Sequence, residues 1–326
     1  MADLNMDKAI EVLILIDVYG WAFDFVSRGI VKHSDAFNYE VKCWNEVNSG
    51  DKRFDVVFAF DYDTWNYTGG HRMWLGKARK CIGIRTNPPD PRLIEEAPQF
   101  HAVGCNSLKT YNLLKGKYPN ADNIYFTPNG VDTDIFQPAP RSGETFKLGW
   151  AGSAERPCKR VHLARRLDYP VRVMCRRWGK YFVKGASRKH MQKFYAKIDC
   201  LVHTSNREGM TSVAIEAASC GLPIVATDVG DMAQLVEAEW LVPVEPEDAV
   251  VQEMNKRLEI LKNDVELRHR VGERNRREVL DNWDWRHRVA GYEDMFRGAL
   301  GNEGLSHRGS GLYRPTPHRG DGQSGL

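Results

Sequence analysis

The chain has 326 residues, of which 42% are hydrophobic and 27% are charged, and its formal net charge is +3. These values predict a soluble globular protein with room for two domains, and a charge this small gives no argument for nucleic-acid binding by itself. The longest aliphatic run, Val12–Ile16, is too short to span a bilayer and lacks the flanks of a signal peptide, although peripheral membrane contact stays open. Seven dispersed cysteines without a C-x-x-C pair favour reduced thiols and a cytoplasmic protein, and the ten histidines lack the spacing of metal ligands.

Apolar segments of strand length alternate with helical segments through the first 130 or so residues. One helix is predicted from Ala22 to about Lys32. A second is capped by Ser107 and ends at about Lys117. The first strand ends in a turn with one glycine, Gly20, so the G-x-G-x-x-G of a dinucleotide site is missing. The predicted strands are Glu11–Asp17, Tyr39–Trp44, Phe54–Phe60, Lys80–Arg85, Ala102–Asn106 and Asn123–Thr127. The alternation predicts a parallel sheet covered by helices.

The same alternation continues after a linker at 138–143. The predicted strands are Phe146–Trp150, Val171–Cys175, Ile198–Thr204, Leu222–Ala226 and Trp240–Pro243. The predicted helices are one that ends at Leu167, then Thr211–Ser219 closed by Gly221, Glu247–Leu261, Val265–Asn282 and a last helix to Leu300. Residues 301–326 are rich in Gly, Ser, Pro and Arg and are predicted to form a disordered tail.

The loop Arg207–Ser212 stands between a predicted strand and a predicted helix. In a parallel sheet such a loop lies at the carboxyl edge, where the helix offers free N–H groups and the positive end of its dipole. Gly209 allows the backbone to approach a ligand closely, and Thr211 or Ser212 can cap the helix and contact phosphate oxygens. We therefore predict a phosphate-binding loop.

Two carboxylates bracket this helix. Glu208 lies in the loop and can accept hydrogen bonds from the hydroxyls of a polyol, and Glu216 lies nearly two turns further on and can hold a second hydroxyl pair. A pair of glutamates at this spacing in an arbitrary sequence would be a surface carboxylate and a charge on the helix face. The residues around Glu208 and Glu216 favour a ligand-binding site instead.

That string, SNREGMTSVAIEAASCGLPIVATDVG at 205–230, resembles the nucleotide-sugar signature of retaining glycosyltransferases of family 4, with the GT-B fold. The family's E-x7-E pair falls on Glu208 and Glu216. A second string, PNGVDTDIF at 128–136, resembles the one that closes the family's amino-terminal domain, and its Asn129-Gly130 predicts a tight turn with positive φ. The resemblance implies an α/β protein of two Rossmann-like domains facing a cleft. It divides the chain into an acceptor domain at 1–140, a nucleotide-sugar domain at 141–283 and a helix at 284–300 that crosses back.

The resemblance also implies roles for individual residues. Lys159 matches the lysine that neutralises the donor diphosphate, and Ser153 stands where relatives have an arginine, so Arg156 or Arg160 is expected to substitute. Glu208 is expected to orient the sugar and Glu216 the ribose. The other expected donor-binding residues are Gly152, Ser153, Gly209, Met210, Thr211, Ser212 and, against the nucleobase, Trp178. The expected acceptor-side residues are Tyr19, Gly20, Trp21, Asp61 and Arg85, where Arg85 and Thr86 occupy the place of a histidine in many relatives.

Asp61 and Asp63 form a D-x-D triplet after the third strand. Glycosyltransferases of the GT-A fold use such a pair to hold a divalent cation on a diphosphate. The triplet is common by chance, and with the E-x7-E string elsewhere we interpret these residues as strand-exit carboxylates. We expect no metal and no cofactor.

The expected function is transfer of a sugar, with retention and from a donor expected to be a UDP-sugar, to a hydroxyl of a glycan or lipid-linked acceptor. Two alternatives stay open. One is a degenerate relative that binds a sugar nucleotide without turnover. The other is a DNA-modifying enzyme that glycosylates a hydroxylated base. The aromatic and basic residues between 65 and 85 and the Arg-rich tail are compatible with this alternative.

Overall fold

The computed structural model describes residues 9–48, 53–67, 78–84, 89, 91–140, 145–176 and 187–301. They form two α/β units, each built on a parallel sheet. The predicted fold class is therefore confirmed. In the part of the chain so described, no helix combines the length and the apolar character needed to cross a membrane.

The first domain has a six-stranded sheet with the order β2-β1-β3-β4-β5-β6, in which all neighbours are parallel. Its elements are β1 Glu11–Ile16, α1 Ala22–His33, β2 Asn38–Cys43, β3 Val56–Ala59, α2 Tyr62–Tyr67, β4 Arg79–Ile84, α3 Pro91–Glu96, β5 Ala102–Cys105, α4 Leu108–Lys117 and β6 Ile124–Phe126.

The second domain has a five-stranded parallel sheet with the order β11-β10-β9-β7-β8. Its elements are β7 Leu148–Ser153, α5 Val161–Ala164, β8 Val171–Arg176, α6 Arg188–Tyr195, β9 Cys200–His203, α7 Ser212–Ser219, β10 Ile224–Thr227, α8 Met232–Leu235, β11 Leu241–Val242, α9 Glu247–Asn263 and α10 Val265–Asn282. The last helix, α11 Trp285–Leu300, follows.

The apolar first strand is buried on both faces. Val12, Ile14 and Ile16 pack into one core and Leu13 and Leu15 into the other, as the two-residue period of a strand requires. The first of these cores is completed by α11, which comes last in the chain and contributes residues such as Trp285 and Tyr292. The final helix therefore packs on the first domain.

The segment that follows β6 meets the start of α11. The Val131 N–H donates to the Trp283 carbonyl at 2.9 Å, and the Trp285 N–H donates to the Val131 carbonyl at 3.1 Å. The prediction of a positive φ at Asn129-Gly130 is wrong, because neither residue is among the described residues with positive φ. The lack of a side chain at Gly130 matters for another reason: a Cβ there would lie 2.6 Å from Cδ2 of Trp285.

The prediction of a helix through Leu167 is also wrong, since α5 has four residues. Arg160 takes a left-handed conformation (φ 45°) and delays the start of the helix. The chain then leaves α5 in a three-residue turn, in which the Arg166 N–H donates to the Leu163 carbonyl at 3.0 Å. In contrast, Gly221 (φ 67°) follows α7 as predicted, because a left-handed residue terminates a helix.

Candidate active site

The strand order places a switch point in each sheet. β1 lies between β2 and β3, and β7 lies between β8 and β9. Open parallel sheets bind ligands in the crevice beyond the carboxyl ends of such strands. A cleft of about 570 Å³ lies there and is lined by both domains. The first domain contributes Asp17, Trp21, Asp61, Asp63, Asn106 and Asn129, and the second contributes Arg156, Lys159, Arg207, Glu208, Met210, Thr211 and Ser212.

The amino terminus of α7 opens onto this cleft. Thr211 occupies the N-cap position, but its side chain makes no capping hydrogen bond, in contrast to our expectation. A helix leaves N–H groups of its first turn without a helical acceptor. Here the Ala214 N–H donates to the Thr211 carbonyl at 3.2 Å, and the buried Thr211 side chain caps none of the preceding ones. The preceding loop is held in place by Asn129, whose amide donates to the Met210 carbonyl at 3.3 Å.

Lys159 and Glu208 form an ion pair inside the cleft. His203, the last residue of β9, places its Nε2 atom 3.5 Å from the same carboxylate oxygen. Burial alone would raise the pKa of Glu208, but the charge of Lys159 and the hydrogen bond from His203 outweigh it and hold that pKa well below its usual range. Glu208 is therefore an anion at neutral pH, and an ionised carboxylate only accepts hydrogen bonds.

The two arginines considered as substitutes for the family's arginine differ in position. Arg160 is buried, and its guanidinium donates to the carbonyls of Thr204 (2.7 Å) and Val244 (2.8 Å), so it ties the end of β9 to a neighbouring loop. Arg156 is exposed and lines the cleft. Of the two, Arg156 is the one placed to meet a ligand.

Glu216 is buried in a network of its own and is not among the described residues that line the cleft. Arg188 forms an ion pair with one carboxylate oxygen, and the Tyr195 hydroxyl donates to the other at 2.9 Å. Burial raises the pKa of Glu216, although Arg188 and Tyr195 act in the opposite direction. The Arg188 guanidinium also lies over the ring of Phe25 in the first domain, at 4.6 Å from its centroid.

Gly152 and Ser153 end β7 at the same edge of the second sheet. The Ser153 hydroxyl is buried and has no hydrogen-bond partner among the described residues. Trp178, expected at the nucleobase, lies outside the described residues.

The expected acceptor-side residues are dispersed. Trp21 and Asp61 line the cleft. The hydroxyl of Tyr19 instead donates to Glu46 at 2.5 Å, and Gly20 (φ 76°) donates its N–H to Asp24 at 2.7 Å, so both belong to the turn before α1. Asp61 accepts a hydrogen bond from the Thr64 N–H at 2.7 Å and so caps α2. Arg85 lies outside the described residues.

Two residues of the site went unnoticed in the sequence. His203 carried a usable signal, because it ends a predicted strand and so had to lie at the carboxyl edge of the sheet. Arg188 carried none, because a cationic residue in the first turn of an amphipathic helix is typical of a solvated face.

This arrangement is that of a GT-B protein, with two Rossmann-like domains and a cleft between their switch points. The model of the family described as Glycosyl transferases group 1 matches residues 179–278, which include β9, α7 and β10. The match and the fold together confirm the resemblance to group 1 glycosyltransferases of the GT-B fold.

Solved structures of the same fold cover nearly the whole chain. HepE of Anabaena, in complex with UDP and glucose, is 14% identical with a TM-score of 0.69, and the alignment covers 88% of this chain and 99% of that one. Sucrose-phosphate synthase of Thermosynechococcus elongatus is 12% identical with a TM-score of 0.68, covering 88% and 98%. A glycosyltransferase of Rickettsia africae is 12% identical with a TM-score of 0.63, covering 90% and 100%. A search among curated proteins gave no match.

Proposed function

We propose that the protein transfers a sugar from a nucleotide diphosphate sugar to a hydroxyl group, with retention of anomeric configuration and without a metal ion. The observation that carries this proposal is the amino terminus of α7, which shares the cleft with Lys159 and Arg156. A diphosphate placed there meets backbone N–H groups, the positive end of a helix dipole and two cationic side chains. These groups supply the positive charge that a metal ion supplies in other enzymes. The structure of HepE, which is similar in fold, was solved with UDP-glucose.

In the proposed reaction the bond between the anomeric carbon and the diphosphate oxygen breaks, and the oxygen keeps the electron pair. The acceptor oxygen bonds to the same face of that carbon, and its proton passes to an oxygen of the departing diphosphate. Lys159 and the backbone amides of residues 209–212 stabilise the charge that develops on the diphosphate. No cofactor takes part.

The two glutamates orient the donor in this proposal. The ionised Glu208 accepts hydrogen bonds from sugar hydroxyls, and Lys159 and His203 fix its position. Glu216 is buried behind the described lining of the cleft, so in this proposal the ribose hydroxyls reach its carboxylate alongside Arg188 and Tyr195, which hold it. In both roles a carboxylate oxygen accepts from a hydroxyl donor.

The first-domain wall of the cleft supports a hydroxyl-rich acceptor. Its described lining includes the carboxylates Asp17, Asp61 and Asp63. Carboxylates accept hydrogen bonds from sugar hydroxyls and repel the phosphates of a nucleic acid. We therefore favour a saccharide, free or lipid-linked, over a DNA base.

A second candidate is a relative that binds the donor without turnover. Ser153 motivates it, because a neutral hydroxyl with no hydrogen-bond partner among the described residues stands where the family has a cation. Turnover separates the two candidates, whereas nucleotide binding does not.

The first test is thermal denaturation with UDP, GDP, ADP and their glucose conjugates. A ligand at about a hundred times its Kd stabilises by roughly 2.7 kcal/mol, which is readily detected. We expect stabilisation by one nucleotide, and loss of that stabilisation in Lys159→Met but not in Lys256→Met, a control on the exposed face of α9. Absence of a shift with every nucleotide would contradict the donor site.

The second test is turnover. With the nucleotide sugar so identified and a panel of saccharides, we expect release of the nucleoside diphosphate and a product whose anomeric coupling constant matches that of the donor. Inverted configuration would refute retention. Donor binding without release for any acceptor would establish the second candidate.

A further inference from the structure

Asp231 in the second domain caps a helix of the first domain. It is 2% exposed and lies between β10 and α8. Its carboxylate accepts hydrogen bonds from the Ser107 hydroxyl at 2.9 Å, from the Leu108 N–H and from the Lys109 N–H at 3.3 Å. These groups begin α4, whose own N-cap, Ser107, accepts from the Thr110 N–H.

An anion at a helix amino terminus satisfies N–H groups that have no partner within the helix, and it interacts favourably with the dipole. Here the anion comes from the other domain, so these bonds exist only while the two domains are in contact. The ion pair of Lys109 with Asp228, at 3.6 Å, joins the same two surfaces. Burial raises the pKa of Asp231 although the three donors act against it, so the residue occupies a costly position.

The backbone of the same residue holds the loop of the candidate donor site. The Asp231 N–H donates to the Gly209 carbonyl at 3.0 Å. Gly230, just before it, has a φ of 55°, and a Cβ there would lie 1.8 Å from the Gly209 carbonyl oxygen, so the two segments touch backbone to backbone. On the other side of Gly209, the Met210 carbonyl is held by Asn129 at 3.3 Å. The loop is thus fixed from Asp231 on one side and from the first domain on the other.

We propose that Asp231 is a positioning residue that couples contact between the domains to the conformation of the loop at 208–212: when its carboxylate caps α4, its backbone holds Gly209 where the donor diphosphate binds. This rests on the proposed function, because the loop is the one assigned to the donor. Asp231 itself touches neither substrate nor reacting atoms in this proposal.

The test compares Asp231→Ala, Asp231→Asn and Ser107→Ala with the wild type by amide hydrogen exchange without nucleotide. In Asp231→Ala we expect faster exchange, by about tenfold or more, both at the start of α4 and in the loop at 208–212. Asp231→Asn keeps one acceptor oxygen and should restore part of the protection. Ser107→Ala removes a donor from the opposite domain and should have an intermediate effect on the loop.

The exchange readout does not depend on nucleotide, so it separates this proposal from the donor assignment. Faster exchange confined to α4 in Asp231→Ala would overturn the coupling and leave Asp231 a cap. For a protein that binds nucleotide, the same variant should also raise the donor KM by about tenfold at a temperature well below its melting transition. An unchanged donor KM would overturn the positioning role, and a wild type that binds no nucleotide would refute the proposed function instead.

Discussion

Lys159 and Glu208 form an ion pair in the cleft between the two domains, with side chains that are 17% and 14% exposed. Charges shielded from water to this degree interact more strongly than a surface pair. Lys159 is the cation assigned to the donor diphosphate, and Glu208 is the carboxylate assigned to its sugar. The pair holds both groups in place in the ligand-free protein. If the proposed roles are right, we expect donor binding to depend on both partners together.

We expect Lys159→Met to weaken binding of the nucleoside diphosphate by about 10- to 100-fold, since a hydrogen bond to a charged group contributes roughly 1.5–3 kcal/mol. Part of this loss comes from Glu208, which then remains an anion beside the diphosphate without the charge of Lys159 to offset it. The double variant Lys159→Met/Glu208→Gln should therefore bind more tightly than Lys159→Met. Calorimetric titration of the wild type, Lys159→Met, Glu208→Gln and the double variant gives the coupling energy between Lys159 and Glu208 in nucleotide binding. Additive losses would show that the pair does not act as a unit.

The two glutamates should differ in kinetics. Glu208→Gln is expected to lower kcat by about 10- to 100-fold with a smaller effect on the donor KM, because it orients the sugar at the reacting carbon. Glu216→Gln is expected to raise the donor KM more than it lowers kcat, because ribose binding is equal in the ground and transition states. Glu253→Gln, on α9, is the control. The same kinetic pattern in both variants would refute the separate roles.

The buried Glu216 should make stability depend on pH. Burial raises its pKa above the ordinary 4.5, so the folded protein binds this proton more tightly than the unfolded chain does. The resulting stabilisation is complete below the unfolded pKa and is lost as the pH rises through the folded pKa. The free energy of unfolding of the wild type, relative to Glu216→Gln, should therefore increase as the pH falls from neutral towards 4.5.

Urea denaturation of both proteins at several pH values measures this difference, and the contributions of other titrating groups largely cancel in it. A relative stability that falls with acidification would mean that the ion pair with Arg188, rather than burial, controls the titration of Glu216.

Gly130→Ala should destabilise the protein by about 1–3 kcal/mol, which is typical of overpacking. Its Cβ would lie 2.6 Å from Cδ2 of Trp285, a side chain that is 1% exposed and fills the first-domain core. Gly116→Ala is the matched control, because a Cβ there, apart from its chain neighbours and the backbone of α4, meets no atom of the described residues within 4 Å. In a helix the control should stabilise by about 0.5 kcal/mol. Equal effects in urea denaturation would contradict the close contact with Trp285.

Much of the fold could be predicted from local pattern. The continuous apolar run of β1 indicated a strand buried on both faces, and the bounds of α10 were predicted as Val265–Asn282. Predictions from near neighbours in the sequence were wrong where a residue distant in the chain determines the backbone conformation. Asn129-Gly130 is typical of a positive-φ turn. In the structure, however, a glycine is needed at position 130 because the indole of Trp285 occupies the space that a Cβ would take. At Arg160, whose guanidinium is held by the carbonyls of Thr204 and Val244, the backbone is left-handed (φ 45°) just before α5.

The site shows the same division. The fold class, the family resemblance and the loop between β9 and α7 could be predicted before folding, since they depend on the order of strands, glycines and helix starts along the chain. The partners of the site residues could not: that Glu208 meets Lys159 and His203, that Glu216 meets Arg188, and that Asp231 caps a helix of the other domain. The difference lies in the range of the interactions. Secondary structure and turns follow from interactions between near neighbours, whereas an ion pair between residues 49 positions apart exists only once the sheet of the second domain and its loops are assembled.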